Sequence, residues 1–252
     1  MKPLTFLTVE HEDECPPAWL GQWWEERGVR LRRVQAHAHT PRVAGDHADV
    51  AIPATIGDAD ALVVFGGEAG ANDDAEYPWL PATRRLIART VADGRPFLGV
   101  CLGHQLAAVA LGGAVGRNPE GMTTGLIPVT VTEAGRTDPL LAECANSVAV
   151  QWNSDVITRL PDRVTVLATA PDGTPQAVRF APWAYGVQFH PEVTPEQFDS
   201  WWVDKPSAAD PALRLTAEAA SAAIHAAREE LRHTWRPFAA RFVDLVRDFV
   251  RD

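Results

Sequence analysis

Short apolar runs alternate with amphipathic stretches through the first half of the chain. Short apolar runs are typical of buried strands, and apolar positions spaced three or four apart are typical of helices. This pattern predicts strands at residues 4–9, 29–34, 61–65 and 97–100, and helices at 19–27, 80–92 and 104–111. Strands that alternate with helices favour a parallel sheet covered on both faces. The first half therefore predicts an α/β fold with an open, mostly parallel sheet.

The pattern changes after Gly113, where short strands follow one another with turn residues between them. They are predicted at residues 126–132, 147–150, 164–169, 176–180 and 184–189. Successive short strands of this kind favour an antiparallel extension of the sheet. Thr194 followed by Pro195 then predicts the start of a helix, with threonine as the N-cap.

The C-terminal part is predicted to be helical from Pro211 to the end, after a polar break at residues 204–210 and with an interruption near Pro237. Its apolar stripe has steps of three and four residues, at Trp235, Phe238, Phe242, Leu245 and Phe249. Such a stripe either packs on its own domain or forms an interface with a partner or a second copy. We therefore predict a main domain at residues 1–203 and a helical extension at 204–252 packed on it, with a homodimer as a further possibility.

Composition excludes several classes of function. The chain has 252 residues, of which 46% are apolar, and a formal net charge of −10. This negative charge argues against a nucleic-acid partner, because phosphates require a basic surface. No segment has the character of a signal peptide or the length of a membrane span, so no membrane association is expected.

Three widely spaced cysteines, Cys15, Cys101 and Cys144, predict reduced thiols in the cytoplasm rather than a disulfide framework. The histidines at positions 11, 37, 39 and 47 match no usual spacing of metal ligands, and we expect them in surface loops. The sequence also has no glycine-rich phosphate loop. No metal and no cofactor are therefore predicted.

The stretch RPFLGVCLGHQLAAVALGG, residues 95–113, predicts a sharp turn from a buried strand into a helix, with Cys101 at the turn. Glycines on both sides of a nucleophile allow a tight turn that lifts its side chain above the sheet. The N-terminus of the following helix favours a thiolate at that position. The alternative is a small buried cysteine before an ordinary helix.

A second stretch, YGVQFHPE at residues 185–192, ends an apolar strand with His190 and Glu192. Residues two apart on an extended backbone point to the same face. A cysteine nucleophile requires a base, and that base requires a carboxylate to orient it. The three residues together are consistent with thiol catalysis.

The segments PFLGVCLGHQLAAVALGG and YGVQFHPEV resemble the class I (triad) glutamine amidotransferases, above all the amidotransferase domain of GMP synthetase and its free-standing relatives. The resemblance extends loosely from residue 1 to about residue 203. It implies a flavodoxin-like fold and a Cys101–His190–Glu192 triad. In this family the cysteine attacks a γ-carboxamide, forms a γ-glutamyl thioester and releases ammonia.

The same resemblance implies an oxyanion hole formed by the Gly67 and Leu102 N–H groups, with Gly66 beside the substrate. Gly66 and Gly67 follow a predicted strand, at the sheet edge where α/β proteins place their sites. Many relatives have proline where this chain has Glu68.

Substrate contacts are implied at two further places. Gln105, on the helix after the nucleophile, matches a position that contacts the amino-acid end of the substrate, although it could also be a helix-surface residue. The segment Gln151-Trp152-Asn153 lies where relatives often have a Trp-His-Gly-Asp type segment whose backbone helps to hold glutamine. Asn153 replaces the histidine of that pattern.

Three functions are compatible with these residues. The chain could be a glutaminase that passes ammonia to a separate synthetase, or a stand-alone hydrolase of γ-glutamyl peptides or γ-glutamyl amides that needs no partner. Both use glutamine or a γ-glutamyl compound as substrate and require the same triad. A catalytically silent binding protein on this fold is the third hypothesis.

Overall fold

The structure is a computed structural model that describes residues 3–39, 52–144, 147–203 and 211–251. Within these ranges the strands are β1 (Thr5–Glu10), β2 (Arg30–Gln35), β3 (Ala61–Val64), β4 (Phe97–Val100), β5 (Ala114–Arg117), β6 (Thr123–Val131), β7 (Ser147–Asn153), β8 (Asp155–Arg159), β9 (Thr165–Thr169), β10 (Pro175–Ala181) and β11 (Ala184–Val187). The helices are α1 (Ala18–Glu26), α2 (Leu80–Ala92), α3 (Leu102–Ala110), α4 (Glu133–Arg136), α5 (Pro195–Ser200), α6 (Pro211–Ala226) and α7 (Arg228–Arg251), and a 3₁₀ turn spans Ala36–His39.

Nine of these strands form one sheet in the order β2-β1-β3-β4-β11-β10-β9-β6-β7. The five strands from β2 to β11 are parallel, and the four from β10 to β7 continue the sheet in antiparallel pairing. The predicted parallel sheet with an antiparallel extension is therefore confirmed. A separate two-stranded antiparallel sheet, β5 with β8, was not predicted.

The two faces of the parallel sheet are buried against different helices. On β1, Phe6 belongs to the core that includes α1 and α7, whereas Leu7 belongs to the core that includes α2 and α3. Successive side chains of a strand point to opposite faces, so a continuous apolar run serves both cores. This arrangement explains the unbroken burial of β3 and β4.

The C-terminal helix α7 packs against the α1 face of the sheet. Trp24 Nε1 donates to the Ala239 carbonyl over 3.1 Å, and the Phe242 and Phe6 rings lie 5.5 Å apart. The apolar stripe is thus buried at Trp235, Phe238 and Phe242 within its own chain. A homodimer and the division of the chain at residue 203 stay predictions, and the predicted break at 204–210 lies outside the described residues.

The predicted interruption near Pro237 is wrong, because α7 runs through it without a break. Proline lacks the N–H that would bond to the carbonyl of residue 233. Burial of the stripe on both sides of it outweighs this missing bond, and the only residue between α6 and α7 is Ala227. The last short strand is also shorter than predicted: β11 ends at Val187, and residue 189 is not part of it.

The predicted surface position of His11 is wrong as well. Its side chain is buried, and Trp79 Nε1 donates to its Nδ1 over 3.0 Å. Burial, and then the neighbouring His37, lower the pKa of His11 to about 3, so the ring is neutral. In the described parts of the chain, no group of three or more His, Cys, Asp or Glu side chains could hold a metal ion. Among the helices described, none combines the length and apolarity needed to cross a bilayer.

Candidate active site

Cys101 lies at the junction of β4 and α3, in a turn that depends on two glycines. A Cβ atom on Gly99 would lie 2.5 Å from the Gly103 carbonyl oxygen, and one on Gly103 would lie 2.0 Å from the Val64 oxygen. Only glycine fits at either position, because these neighbours are backbone atoms. Cys101 itself has φ 49° and ψ −106°, a backbone conformation that costs energy for a residue with a side chain. The turn thus has the strained geometry expected of a nucleophile elbow.

His190 is brought to Cys101 by the pairing of β11 with β4. The two strands run parallel with Val187 opposite Val100, so both end at the same edge of the sheet. The Cys101 N–H donates to the Val187 carbonyl over 2.8 Å, which extends this pairing to the turn. The His190 N–H donates to the Val150 carbonyl over 2.9 Å and fixes the backbone there.

Glu192 orients the imidazole of His190. His190 Nδ1 and Glu192 Oε1 lie 2.7 Å apart, and the two side chains are 3% and 1% exposed. The Glu192 carbonyl accepts a bond of 2.9 Å from the Trp19 N–H, at the start of α1. The Trp201 ring covers the imidazole, with 4.7 Å between the ring centroids. A carboxylate on Nδ1 leaves Nε2 for the nucleophile.

The electrostatics favour a protonated His190. Burial alone would lower its pKa, but the charges of Glu192 and Cys101 and hydrogen bonds to both side chains outweigh burial and raise the pKa to about 10. A cysteine nucleophile reacts as its thiolate, and an imidazolium beside it can protonate a leaving amine.

The predicted oxyanion-hole residues are adjacent. A Cβ atom on Gly67 would lie 3.3 Å from Leu102 Cδ2, and one on Gly66 would lie 3.0 Å from His190 Cε1 and 3.6 Å from Cys101 Cβ. Leu102 is the first residue of α3, where N–H groups have no partner within the helix. The loop after β3 therefore faces the nucleophile.

Gln188 contacts Cys101, and the sequence analysis did not identify Gln188 as a site residue. Its Nε2 donates to Cys101 Sγ over 3.6 Å, and its Oε1 accepts from Gln105 Nε2 over 3.2 Å. Gln105 Nε2 also donates to the Asp155 carbonyl over 3.0 Å. Gln105 is thus a buried member of this network and not a helix-surface residue. The period-two pattern of the predicted strand could have indicated Gln188, because Gln188 lies two residues before His190.

Two cavities meet at Cys101. The larger has a volume of about 360 Å³ and the smaller about 190 Å³. Both are lined by the same five residues, namely Gly67, Glu68, Cys101, Met122 and Trp152. His190 lines only the larger cavity, and Gln105 lines only the smaller one. Cys101 therefore lies where the two cavities adjoin.

The predicted substrate segment is divided between the smaller cavity and the core. Trp152 and Asn153 line the cavity, and the buried Asn153 Oδ1 has no hydrogen-bond partner among the described residues. Gln151 is fully buried, donates to Gln176 Oε1 over 3.0 Å and lines neither cavity. A substrate role for the Gln151 backbone stays a prediction.

The other two cysteines are suited to remain protonated. Cys15 lines the larger cavity, where burial and then the Glu12 carboxylate raise its pKa well above the usual range. Burial and then the Glu143 charge raise the pKa of Cys144 to about 12. Neither environment favours a thiolate at neutral pH.

Comparison with known proteins identifies the family. Residues 26–206 match the family model described as glutamine amidotransferase class-I. The glutamine amidotransferase-like protein YfeJ of Salmonella typhimurium is 35% identical over 177 residues, which are 69% of this chain and 73% of that protein. One subunit of the glutamine-hydrolysing GMP synthase of Halobacterium salinarum is 37% identical over 144 residues, or 56% of this chain and 70% of that one.

Some relatives are much longer. The glutamine-hydrolysing GMP synthase of Aeropyrum pernix is 31% identical over 189 residues, which are 72% of this chain but only 34% of that protein. This chain therefore spans about a third of that relative.

Solved structures share the fold over almost the whole chain. A glutamine amidotransferase from Methylobacillus flagellatus superposes with a TM-score of 0.80 at 22% identity and covers 97% of this chain and 95% of its own. A glutamine amidotransferase from Thermotoga maritima superposes with a TM-score of 0.78 at 22% identity, and the match covers 97% of this chain and 100% of that one. The fold, together with the match over residues 26–206, shows that the chain belongs to the class I glutamine amidotransferase family.

Proposed function

We propose that this protein hydrolyses the side-chain amide of glutamine through a thioester on Cys101 and releases ammonia for a separate synthetase. The observation that supports this most strongly is the alignment of Cys101, His190 and Glu192 at one edge of the sheet, with a 2.7 Å contact between His190 and Glu192. The arrangement is buried, yet it opens on a cavity that can admit a substrate.

The chemistry follows from these positions. The Cys101 sulfur attacks the amide carbon, and the Gly67 and Leu102 N–H groups stabilise the oxyanion that forms. His190 gives its proton to the leaving nitrogen, the C–N bond breaks and ammonia departs. Water then attacks the thioester, His190 accepts a proton from it, the carbon–sulfur bond breaks, and glutamate is released with the proton back on His190. Glu192 keeps the imidazole oriented and stabilises its charge throughout.

The relatives support a partner for the ammonia. The Halobacterium salinarum proteins that this chain resembles are one subunit of a GMP synthase and component 2 of an anthranilate synthase. Such names describe one part of a larger synthase. By analogy, we propose that the ammonia acceptor and its nucleotide are bound by a second protein.

A second candidate function uses the same triad without a partner, namely hydrolysis of a γ-glutamyl amide with a larger leaving group. The observation that favours it is the volume of the larger cavity, about 360 Å³, on the His190 side of the nucleophile. Ammonia is about the size of a water molecule, whose share of liquid volume is about 30 Å³.

The test is ammonia release from glutamine by purified protein and by three variants. We expect Cys101→Ala and His190→Ala to abolish turnover, whereas Cys144→Ala, a buried thiol remote from the site, should retain it. An electrophilic glutamine analogue should label Cys101 alone, as located by peptide mass spectrometry. Labelling chiefly at Cys15 or Cys144, or full activity in Cys101→Ala, would refute the proposed chemistry.

The partner is tested by adding cell extract to the purified protein. If a synthetase docks on the chain, extract should raise the rate of glutamine hydrolysis. If a γ-glutamyl amide is cleaved rapidly without extract and glutamine is a poor substrate, the second candidate replaces the first.

A further inference from the structure

We propose that the larger cavity is a leaving-group site for a cationic amine, so that the protein cleaves γ-glutamyl amides of diamines or polyamines. This inference rests on the thiol chemistry proposed above, develops the second candidate function and specifies the amide on which it acts. It concerns the space on the His190 side of Cys101, which glutamine would leave almost empty.

The two cavities would hold the two parts of a γ-glutamyl amide, with the scissile bond at Cys101 between them. The smaller cavity suits the glutamyl part, because Asn153 is 6% exposed and its Oδ1 has no partner among the described residues, so it can accept from an α-ammonium group. Arg117 lines the same cavity and can face an α-carboxylate, although its side chain is 81% exposed and its guanidinium lies 3.4 Å from Asp155, one of three carboxylates that also line this cavity. With the glutamyl part there and its carbonyl at Cys101, the leaving nitrogen faces His190 and the larger cavity.

The larger cavity is lined by several carboxylate side chains. Three glutamates, Glu12, Glu14 and Glu68, are among the residues that line it, and no lysine or arginine of the described chain does so. Carboxylates around a partly enclosed space attract a cation and repel an anion, and the effect is stronger than in bulk water. An amine that carries a second, protonated nitrogen therefore fits this charge, whereas an amino acid with a free carboxylate does not.

The remaining walls suit a methylene chain that ends in an ammonium group. Trp152 and Trp201 line the cavity with aromatic rings, and Met122 and Leu213 add apolar side chains. Aromatic faces bind cations, and apolar side chains bury methylene groups. Acidic, aromatic and apolar groups together match the alternating charge and hydrocarbon of a diamine or a polyamine.

The reaction requires no co-reactant except water. The Cys101 sulfur forms a bond to the γ-carbonyl carbon, the carbon–nitrogen bond breaks, and the amine leaves with a proton from His190. Water then cleaves the thioester to glutamate, as in the hydrolysis of glutamine. The only difference is the group that leaves.

The experiment compares three γ-glutamyl amides whose tails have four carbons and differ in charge. They are the neutral butylamide, the cationic 4-aminobutylamide and the anionic amide of 4-aminobutyrate, with glutamine as reference. We expect kcat/KM for the cationic amide to exceed that of the neutral amide at least tenfold, and the anionic amide to be the poorest substrate. The preference should decrease as salt is added, because it is electrostatic.

The charge of the cavity is tested with isosteric variants. Glu14→Gln and Glu68→Gln should each reduce the ratio of cationic to neutral kcat/KM by about threefold or more. Glu133→Gln, an exposed glutamate on α4 that does not line the cavity, makes the same change in net charge and should leave the ratio unchanged.

Two failures are distinguishable. If the protein hydrolyses glutamine or the neutral amide through Cys101 but shows no preference for the cationic tail, the inference is wrong and the proposed chemistry stands. A preference that survives both cavity variants would also overturn it. If no amide is hydrolysed and no thioester forms on Cys101, the proposed function and the inference fail together.

Discussion

Replacing Gln188 with methionine tests whether an amide beside the nucleophile activates it. Gln188 is 1% exposed, and its Nε2 donates to Cys101 Sγ over 3.6 Å. Its orientation follows from the neighbouring bonds. Gln105 Nε2 donates both to the Asp155 carbonyl and to Gln188 Oε1, so the amide nitrogen of Gln188 must face the sulfur. Methionine keeps the approximate size of this side chain and removes the donor.

The magnitude follows from the type of bond. A hydrogen bond to a charged group contributes about 1.5–3 kcal/mol, and a contact to sulfur at this length belongs at the lower end. About 1.4 kcal/mol corresponds to a factor of ten in a rate or an equilibrium. Gln188→Met should therefore slow the reaction of Cys101 about tenfold. Gln188→Glu adds a negative charge beside the sulfur and should slow it further, by about a hundredfold in total.

The assay is the rate of alkylation of Cys101 by iodoacetamide at neutral pH, together with kcat/KM for glutamine. Gln176→Met is the matched control, because Gln176 is also a buried amide in the antiparallel extension but bonds to Gln151 and not to the nucleophile. Circular dichroism and the midpoint of urea unfolding would establish that each variant is folded. If alkylation of Gln188→Met stays within twofold of the unaltered protein, the amide does not stabilise the sulfur anion.

Three further predictions concern the triad, the elbow and the last helix. Because the charges and hydrogen bonds around His190 raise its pKa to about 10, kcat/KM should stay level from pH 7 to pH 9 and fall near pH 10 as the proton needed by the leaving amine is lost; an alkaline midpoint near pH 6.5 would contradict this. Gly103→Ala should lower the free energy of unfolding by about 3 kcal/mol in urea titrations, since its Cβ would meet the Val64 oxygen, whereas Gly116→Ala, with only ordinary contacts, should cost much less. Pro237→Ala should raise the free energy of unfolding by about 1 kcal/mol, because it restores an N–H to a continuous helix; destabilisation would indicate that the proline ring contributes packing instead.

The elbow and the parallel sheet could be predicted because their signals are local. Gly99, Cys101 and Gly103 lie within five residues. The tight turn leaves no space for a Cβ atom at either glycine, so the turn can be recognised from this short segment. The buried strands before them are continuous apolar runs, which both faces of a parallel sheet require. His190 and Glu192 were identified in the same way, from two residues on one face of an extended segment.

What could not be predicted depends on contacts between distant segments. The strands β5 and β8 pair across about forty residues and are only half apolar, so their pattern did not distinguish them from loops. The sequence predicts a break at Pro237 because proline acts on the backbone locally, whereas the burial that keeps α7 continuous depends on distant segments. The expectation that His11 lies in a surface loop is wrong for the same reason, because its ring lies against Trp79 and beneath the Gly67 loop, both distant in the sequence.

The residues that line the larger cavity could not be predicted as a set either, because they come from segments that are distant in the sequence. Glu12 and Glu14 follow β1, Glu68 follows β3, and Trp201 follows α5, so no short segment contains the set. They converge because the carboxyl ends of parallel strands lie at one edge of a sheet, and the loops after them surround whatever binds there. The resemblance rests on the elbow and on the His-Pro-Glu segment after β11, to which the proposed thiol chemistry is assigned. In the inference proposed above, these loops select the amine that leaves, which would let two proteins with the same triad act on different amides.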